Sequence, residues 1–140
     1  MRILFIGNDN LYRSIIAQAY IQSWRPNWEV FSCGVNAQEI PLSDIAQQVL
    51  QDDNIEITKD KSTSIQEFQN TEFDLIFILC DEIKGKVPQF FAQNTRFMKF
   101  SIQPFNSENE DLQKLVEIRD HIKTQFFHML EAFEILKAQK

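Results

Sequence analysis

The feature that most constrains the fold is a short apolar run that ends in a polar turn and leads into a helix. Residues 3–6 are Ile-Leu-Phe-Ile, residues 7–10 are Gly-Asn-Asp-Asn, and helical spacing begins near Arg13. This order predicts a buried strand, a tight turn and a helix. Such a layout directs backbone N–H groups and a helix N-terminus towards one place, with the Arg13 guanidinium beside it. We therefore predict an anion-binding loop made of Gly7, Asn8, Asp9, Asn10, Leu11, Tyr12, Arg13 and Ser14.

Strand and helix patterns alternate along the rest of the chain. Further extended segments are predicted at residues 29–33, 73–79 and 95–100, and helices at residues 13–24 and 42–50 and in a long C-terminal segment. Capping-box patterns at Ser64–Glu67 and Ser107–Glu110 predict two more helix starts. We predict an α/β fold, a single doubly wound domain over residues 1–140, whose four-stranded parallel sheet carries helices on both faces. In such sheets ligands bind beyond the carboxyl ends of the strands, where the predicted loop lies.

Composition argues against several classes of function. The formal net charge of −6 disfavours a nucleic-acid partner or an anionic membrane surface. Two cysteines do not make a disulfide framework, and no apolar stretch has the length of a secretion signal or a membrane span, so we expect a cytoplasmic protein. His121 and His128 share the last helix without a supporting cluster of carboxylates or cysteines. We therefore predict no metal site and no cofactor.

The motifs, taken in order, resemble those of the low-molecular-weight protein tyrosine phosphatases and of the thioredoxin-coupled arsenate reductases that share their fold. The signature of that family is a strand, a cysteine, a short loop and then Arg with Ser or Thr, and it is matched here by Asn10 and Arg13-Ser14. Ser32-Cys33-Gly34 is similar to the family's turn after the second strand. Residues 73–81 are similar to its third strand, and residues 117–122 to the closing helix of the reductases.

The resemblance implies catalysis by a cysteine thiolate and an aspartic acid, and neither stands at the matching position. The cysteine falls on Gly7, which offers no nucleophile for a covalent step. The family's Asp-Pro pair is matched best by Gln103-Pro104, and an amide does not protonate a leaving group. We therefore expect a catalytically inactive member without catalytic residues. Its loop 7–14 is expected to bind phosphate, sulfate or a phosphorylated ligand, or a protein partner.

Two residues of the loop have open roles at this point. Asp9 either repels an incoming anion or pairs with Arg13 and fills the site from within. Tyr12 either lines the entrance of the loop or packs beneath it. Ser14 is expected to satisfy hydrogen bonds of the loop itself.

Two other functions also remain open. The first is an enzyme redirected to the possible reactive thiol Cys80, which lies in a Leu-Cys context like that of the reductases. The next cysteine of the reductases is matched by Val87, so their electron relay is expected to be broken. The second is a scaffold that forms a homodimer through exposed aromatic residues near Phe90-Phe91, unless these belong to the core.

Overall fold

A computed structural model describes residues 1–83, 85–92, 94–105 and 111–138 of the chain, and side chains as far as residue 134. The described strands are β1 (Arg2–Gly7), β2 (Glu29–Gly34), β3 (Leu75–Ile78) and β4 (Arg96–Lys99). The described α-helices are α1 (Arg13–Trp24), α2 (Asp44–Gln51) and α3 (Leu112–Ala138), and short 3-10 helices span Ile65–Phe68 and Asp81–Ile83. The strands pair in the order β2-β1-β3-β4, and every pair is parallel. The predicted α/β fold with a four-stranded parallel sheet is confirmed.

Alternating side chains of β1 divide the core into two layers, as the period of a strand requires. Ile3 and Phe5 belong to the larger layer, which the three described α-helices build. Leu4 and Ile6 belong to the smaller layer, which is closed by both 3-10 helices and the loops around them. The helices predicted for the second face are therefore short 3-10 helices.

The helix boundaries follow local chemistry. The helix α1 ends at Trp24, just before Arg25-Pro26, because proline lacks the N–H that would continue it. The Ser64 hydroxyl accepts a hydrogen bond from the Gln66 N–H at 3.2 Å and starts the first 3-10 helix, as its capping pattern predicts.

The start of α3 depends on an aspartate. The second predicted capping box, Ser107–Glu110, lies outside the described residues. Next to it, Asp111 Oδ1 accepts hydrogen bonds from the backbone N–H groups of Gln113 at 3.0 Å and Lys114 at 3.3 Å. Asp111 therefore serves as the N-cap of α3, and its negative charge interacts favourably with the positive N-terminal end of the helix dipole.

Two properties of the surface bear on function. In the described part of the chain, no helix combines the length and the apolar character that crossing a bilayer requires. Phe90 and Phe91 are partly buried against the smaller core layer, with their ring centroids 4.7 Å apart. These two residues therefore belong in part to the core, and Phe97 on the edge strand β4 is the more exposed aromatic residue, at 46%.

Candidate functional site

The loop between β1 and α1 lies at the point where the strand order reverses. β1 pairs with β2 on one side and with β3 on the other, and the loop leaves β1 at its carboxyl end. In an open α/β sheet this is the crevice in which ligands bind. The loop runs directly into the N-terminus of α1 at Arg13, where unsatisfied N–H groups and the helix dipole favour an anion.

Asn10 holds the loop in shape from its centre. Its backbone adopts a left-handed conformation, with φ of 59°, and its side chain is buried. The Nδ2 group donates to the Ser14 hydroxyl at 2.7 Å and to the Ser32 hydroxyl at 3.0 Å. The Oδ1 atom accepts from the Thr63 N–H at 2.8 Å and from the Lys59 ammonium at 2.6 Å. The whole hydrogen-bonding capacity of this amide is thus used to fix the loop.

Gly34 allows the loop to lie directly against β2. A Cβ atom at this position would stand 2.5 Å from the Asn8 carbonyl oxygen and 2.9 Å from the Asn10 nitrogen. The backbone N–H groups that follow hold the loop there: Val35 donates to the Gly7 carbonyl at 3.1 Å, and Asn36 donates to the Asn8 carbonyl at 2.8 Å. Only glycine lets the two backbones approach so closely.

Gly7 differs from Gly34 because its missing side chain is not required by backbone packing. A Cβ atom at Gly7 would approach the Ser14 Oγ atom at 3.1 Å, and the nearest backbone atom would be 3.9 Å away. A small side chain therefore needs only a slight movement of one hydroxyl. Ser14 itself accepts the hydrogen bond from Asn10, so it satisfies the loop as the sequence predicts.

Arg13 is held by a carboxylate that the sequence analysis did not single out. Its Nη1 and Nη2 atoms lie 2.9 Å and 3.2 Å from the two carboxylate oxygens of Glu82, and Nη1 also donates to the Ile102 carbonyl at 3.1 Å. The Arg13 side chain is 8% exposed, and that of Glu82 is 39% exposed. The hydrogen bonds from Arg13 hold the pKa of the Glu82 carboxyl below its usual range. Glu82 is therefore ionised at neutral pH and pairs in the bidentate geometry that guanidinium groups offer to anions.

The two residues with open roles can now be placed. Asp9 Oδ1 accepts from the Leu11 N–H at 3.1 Å, while the described ion pair of Arg13 is with Glu82. The carboxylate that pairs with Arg13 is thus Glu82 and not Asp9. The Tyr12 ring is 3% exposed and packs edge-on against Phe105, with centroids 4.6 Å apart. Tyr12 therefore packs beneath the loop and does not line its entrance.

The remaining predicted residues lie nearby but in unreactive surroundings. Cys80 follows β3 and is fully buried, and burial raises the pKa of its thiol to about 12. Burial also raises the pKa of the Cys33 thiol well above its usual value, and both cysteines are free. A thiol with such a pKa carries almost no nucleophilic thiolate at neutral pH.

Gln103 lies outside the loop, in a cavity that it shares with Glu82. It lines a cavity of about 700 Å³ together with Pro104, Asp81, Glu82 and His121. This cavity adjoins Arg13 through Glu82 and the Ile102 carbonyl. Across residues 1–83, 85–92, 94–105 and 111–134, no group of three or more potential ligands is placed to hold a metal ion.

Comparison with known proteins places this chain in a family. The family model of the low molecular weight phosphotyrosine protein phosphatases matches residues 2–137 of the chain. None of the curated protein sequences compared with the chain matches it.

Solved structures resemble the chain over nearly its whole length. A low molecular weight protein tyrosine phosphatase from T. tengcongensis superimposes with a TM-score of 0.80 at 20% identity, covering 94% of this chain and 99% of that one. The YwlE arginine phosphatase from Geobacillus stearothermophilus has a TM-score of 0.78 at 22% identity, covering 99% and 96%. An arsenate reductase in the phosphate binding state has a TM-score of 0.77 at 17% identity, covering 94% and 97%. Identities in this range establish a common fold.

Proposed function

The chain belongs to the low molecular weight phosphotyrosine protein phosphatase family, and we propose that it is a non-catalytic member that binds a phosphate-like anion or a phosphorylated ligand through residues 7–14. The observation that carries the proposal is the pairing of Gly7 with Arg13 at the two ends of this loop. Gly7 has no side chain where β1 enters the loop, whereas Arg13 remains at the N-terminus of α1. The binding elements are kept and the nucleophile is missing.

The surroundings of the loop support the loss of catalysis. Phosphoryl transfer to a protein side chain needs a nucleophile in reach, and then an acid for the leaving group. The loop itself contains no thiol, and the thiol of Cys80 stays protonated because burial raises its pKa to about 12. Gln103, which lines the adjoining cavity, carries an amide in place of an acid. A redirected enzyme that uses Cys80 is therefore the weaker alternative.

Retained anion binding has independent support. Arg13 is the first residue of α1, whose N-terminus has no side-chain cap, and a planar guanidinium suits a tetrahedral oxyanion. One structural neighbour is an arsenate reductase in its phosphate binding state, and another is an arginine phosphatase. Both share the fold of this chain over nearly its whole length, so we extend phosphate recognition to this chain as part of the proposal.

Glu82 competes with an incoming anion for the Arg13 guanidinium. The fork of Arg13 is already occupied by both oxygens of that carboxylate, so an incoming phosphate must take its place. The Glu82 side chain is 39% exposed, and it can turn towards solvent when it leaves. An internal competitor lowers the apparent affinity by the fraction of time that the site is open. We therefore expect weak binding of free inorganic anions and tighter binding of a ligand with further contacts.

A thermal-shift titration tests the proposal. Phosphate, sulfate, arsenate and phosphotyrosine are each added to the wild type, to Arg13→Gln and to the surface control Arg25→Gln. A ligand that binds only the native state raises the midpoint of unfolding by mass action. We expect stabilisation of the wild type and Arg25→Gln that is absent in Arg13→Gln. Either of two results would contradict the proposal: Arg13-dependent hydrolysis of an aryl phosphate, or no shift with any anion even in Glu82→Gln.

Location and partners are also proposals. Both cysteines are free and buried, which suits a reducing compartment, so we propose a cytoplasmic location. The net charge of −6 remains our reason to expect no nucleic-acid partner and no anionic membrane partner. The homodimer alternative now rests on Phe97 and its neighbours on β4, and sizing in solution tests it.

A further inference from the structure

We propose that Lys59 is a positioning residue of the loop and supplies a second positive charge behind it, so that anion affinity falls when Lys59 loses its proton. This inference rests on the proposed function. Lys59 lies outside the loop, in the segment between α2 and the 3-10 helix at Ile65–Phe68. No motif of the sequence singled it out.

The ammonium group of Lys59 is directed at the centre of the loop. Its Nζ atom donates to Asn10 Oδ1 at 2.6 Å, to the Ser32 carbonyl at 3.0 Å and to the Ser32 hydroxyl at 3.3 Å. An ammonium has three N–H donors, and these contacts use all of them. Lys59 therefore joins the loop to the end of β2 in a single hydrogen-bonded cluster.

This cluster controls the orientation of the Asn10 amide. Because Oδ1 faces the Lys59 ammonium, Nδ2 faces the hydroxyls of Ser14 and Ser32. That orientation anchors a residue whose backbone is left-handed, a conformation that side chains rarely adopt without support. A charged donor makes a stronger hydrogen bond than a neutral one. Loss of the proton from Lys59 therefore loosens the residue on which the shape of the loop depends.

Burial makes Lys59 ready to lose that proton, and the groups that face it oppose the loss only in part. Burial is the main cause that lowers the pKa of Lys59 to about 8. Cys33 on β2 faces it as a neutral thiol, because burial raises the pKa of Cys33. Glu67 on the 3-10 helix is the carboxylate that favours the ammonium, and its own pKa is raised by a hydrogen bond with Glu39. Glu56 lines the same cavity of about 340 Å³ as Lys59.

The sign of the effect follows from these contacts. Below about pH 8 Lys59 is charged, it holds Asn10 and it attracts an anion in the loop. Above that pH the charge disappears while Arg13 stays charged, since a guanidinium does not deprotonate in this range. Affinity for an anion of constant charge therefore falls as the pH rises through about 8.

Calorimetric titration with sulfate tests the inference, because sulfate keeps its double charge throughout the range. We expect the sulfate affinity of the wild type to fall about tenfold between about pH 7 and about pH 9.5. This is the scale expected for the loss of attraction between one positive charge and an anion in a partly buried site. Lys59→Gln should bind about tenfold more weakly at about pH 7 and show a flat profile. Lys59→Arg, which keeps its charge, should bind well at both pH values. The exposed neighbour Lys61 gives the matched control Lys61→Gln, which should keep the profile of the wild type.

A second measurement separates positioning from folding and from the proposed function. In NMR spectra without any anion, the side-chain amide of Asn10 and the backbone N–H of Thr63 should titrate with a midpoint near 8 in the wild type and not in Lys59→Gln. Denaturant unfolding at about pH 7 checks that each variant is folded.

The outcomes are distinct. A flat sulfate profile in the wild type, or a Lys59→Gln protein with the affinity and profile of the wild type, overturns the inference alone. Absence of sulfate binding at every pH overturns the proposed function and the part of this inference that concerns charge. In that case the NMR titration tests whether Lys59 positions Asn10. Asn10 signals that do not change with pH would overturn that role as well.

Discussion

Replacement of Gly34 by alanine should disrupt the loop 7–14 through a single methyl group. The new Cβ atom would stand 2.5 Å from the Asn8 carbonyl oxygen, 2.9 Å from the Asn10 nitrogen and 2.9 Å from the Asp9 carbonyl carbon. Even a close carbon–oxygen contact is about 3.3 Å, and these atoms are backbone atoms that no rotamer change can move. Overpacking of this kind costs about 1–3 kcal/mol, and the loss of chain entropy in the unfolded state returns about 0.4–1 kcal/mol.

We expect Gly34→Ala to lower the free energy of unfolding by about 1–2 kcal/mol, or the melting temperature by about 3–8 °C for a chain of this size. Sulfate affinity should fall in parallel, because the loop must move away from β2. The matched control is Gly7→Ala, since its Cβ atom would meet only the Ser14 side chain, at 3.1 Å and 3.3 Å. Urea unfolding should give Gly7→Ala the stability of the wild type within about 1 kcal/mol. Equal stability of the two variants would refute the reasoning.

Three further predictions concern the core, acid stability and the thiols. Phe126→Ala should cost about 3–5 kcal/mol in urea unfolding because the ring is fully buried, whereas Phe127→Ala, at 51% exposure, should cost under about 1 kcal/mol; similar losses would contradict this. The hydrogen bond from Lys123 lowers the pKa of Asp53, so its stabilising effect is present above about pH 4 and is lost as the pH falls through the lower native pKa. Asp53→Asn should therefore be less stable than the wild type at about pH 7, and the difference should shrink as the pH falls through the lower native pKa of Asp53; a constant difference would argue against the linkage. Cys80 should react with a thiol reagent at about pH 8 only as fast as the chain opens, and rapid native-state labelling would show a reactive thiol instead.

The fold was accessible from the sequence because its signals are local. The unbroken apolar run before Gly7 and the Pro26 that follows α1 each specify an element boundary without distant contacts. The length of β3 was harder to predict, since Phe73 and Leu79 continue the apolar run but lie outside the strand, which spans Leu75–Ile78. Both side chains are buried, so the buried segment is longer than the segment that pairs with neighbouring strands. The apolar pattern therefore predicts which residues are buried and not where strand pairing ends.

Two residues that shape the site were not accessible in this way. Glu82 and Lys59 meet the loop only through the tertiary structure, across sequence separations of 69 and 49 residues. Glu82 lies four residues after the end of β3, and a charged residue at that distance is a weak signal, because every parallel strand delivers the residues that follow it to the same edge of the sheet. Lys59 had even less of a signal, since an isolated lysine in a polar segment usually marks a solvated surface. Its burial results from the way the segment after α2 passes behind Asn10.

The ion pair of Arg13 with Glu82 leads to a last prediction, in which two measurements should move in opposite directions. A guanidinium that is 8% exposed needs a counter-charge, and the Glu82 carboxylate supplies it. Glu82→Gln should lower the free energy of unfolding by about 1–2 kcal/mol, because it leaves Arg13 without its ionic partner. The same change should raise sulfate affinity about 3–10-fold, since no carboxylate competes for the fork.

A purely structural ion pair would behave differently. Its loss would let Arg13 move, and stability and sulfate affinity would then fall together. The exposed pair of Arg2 with Glu29 provides the comparison, because Glu29→Gln should change neither quantity by much. Opposite signs in Glu82→Gln would identify the carboxylate as a built-in competitor for the anion. Parallel losses would assign the pair to the fold alone, and the ligand would then have to be sought among groups that bind without displacing Glu82.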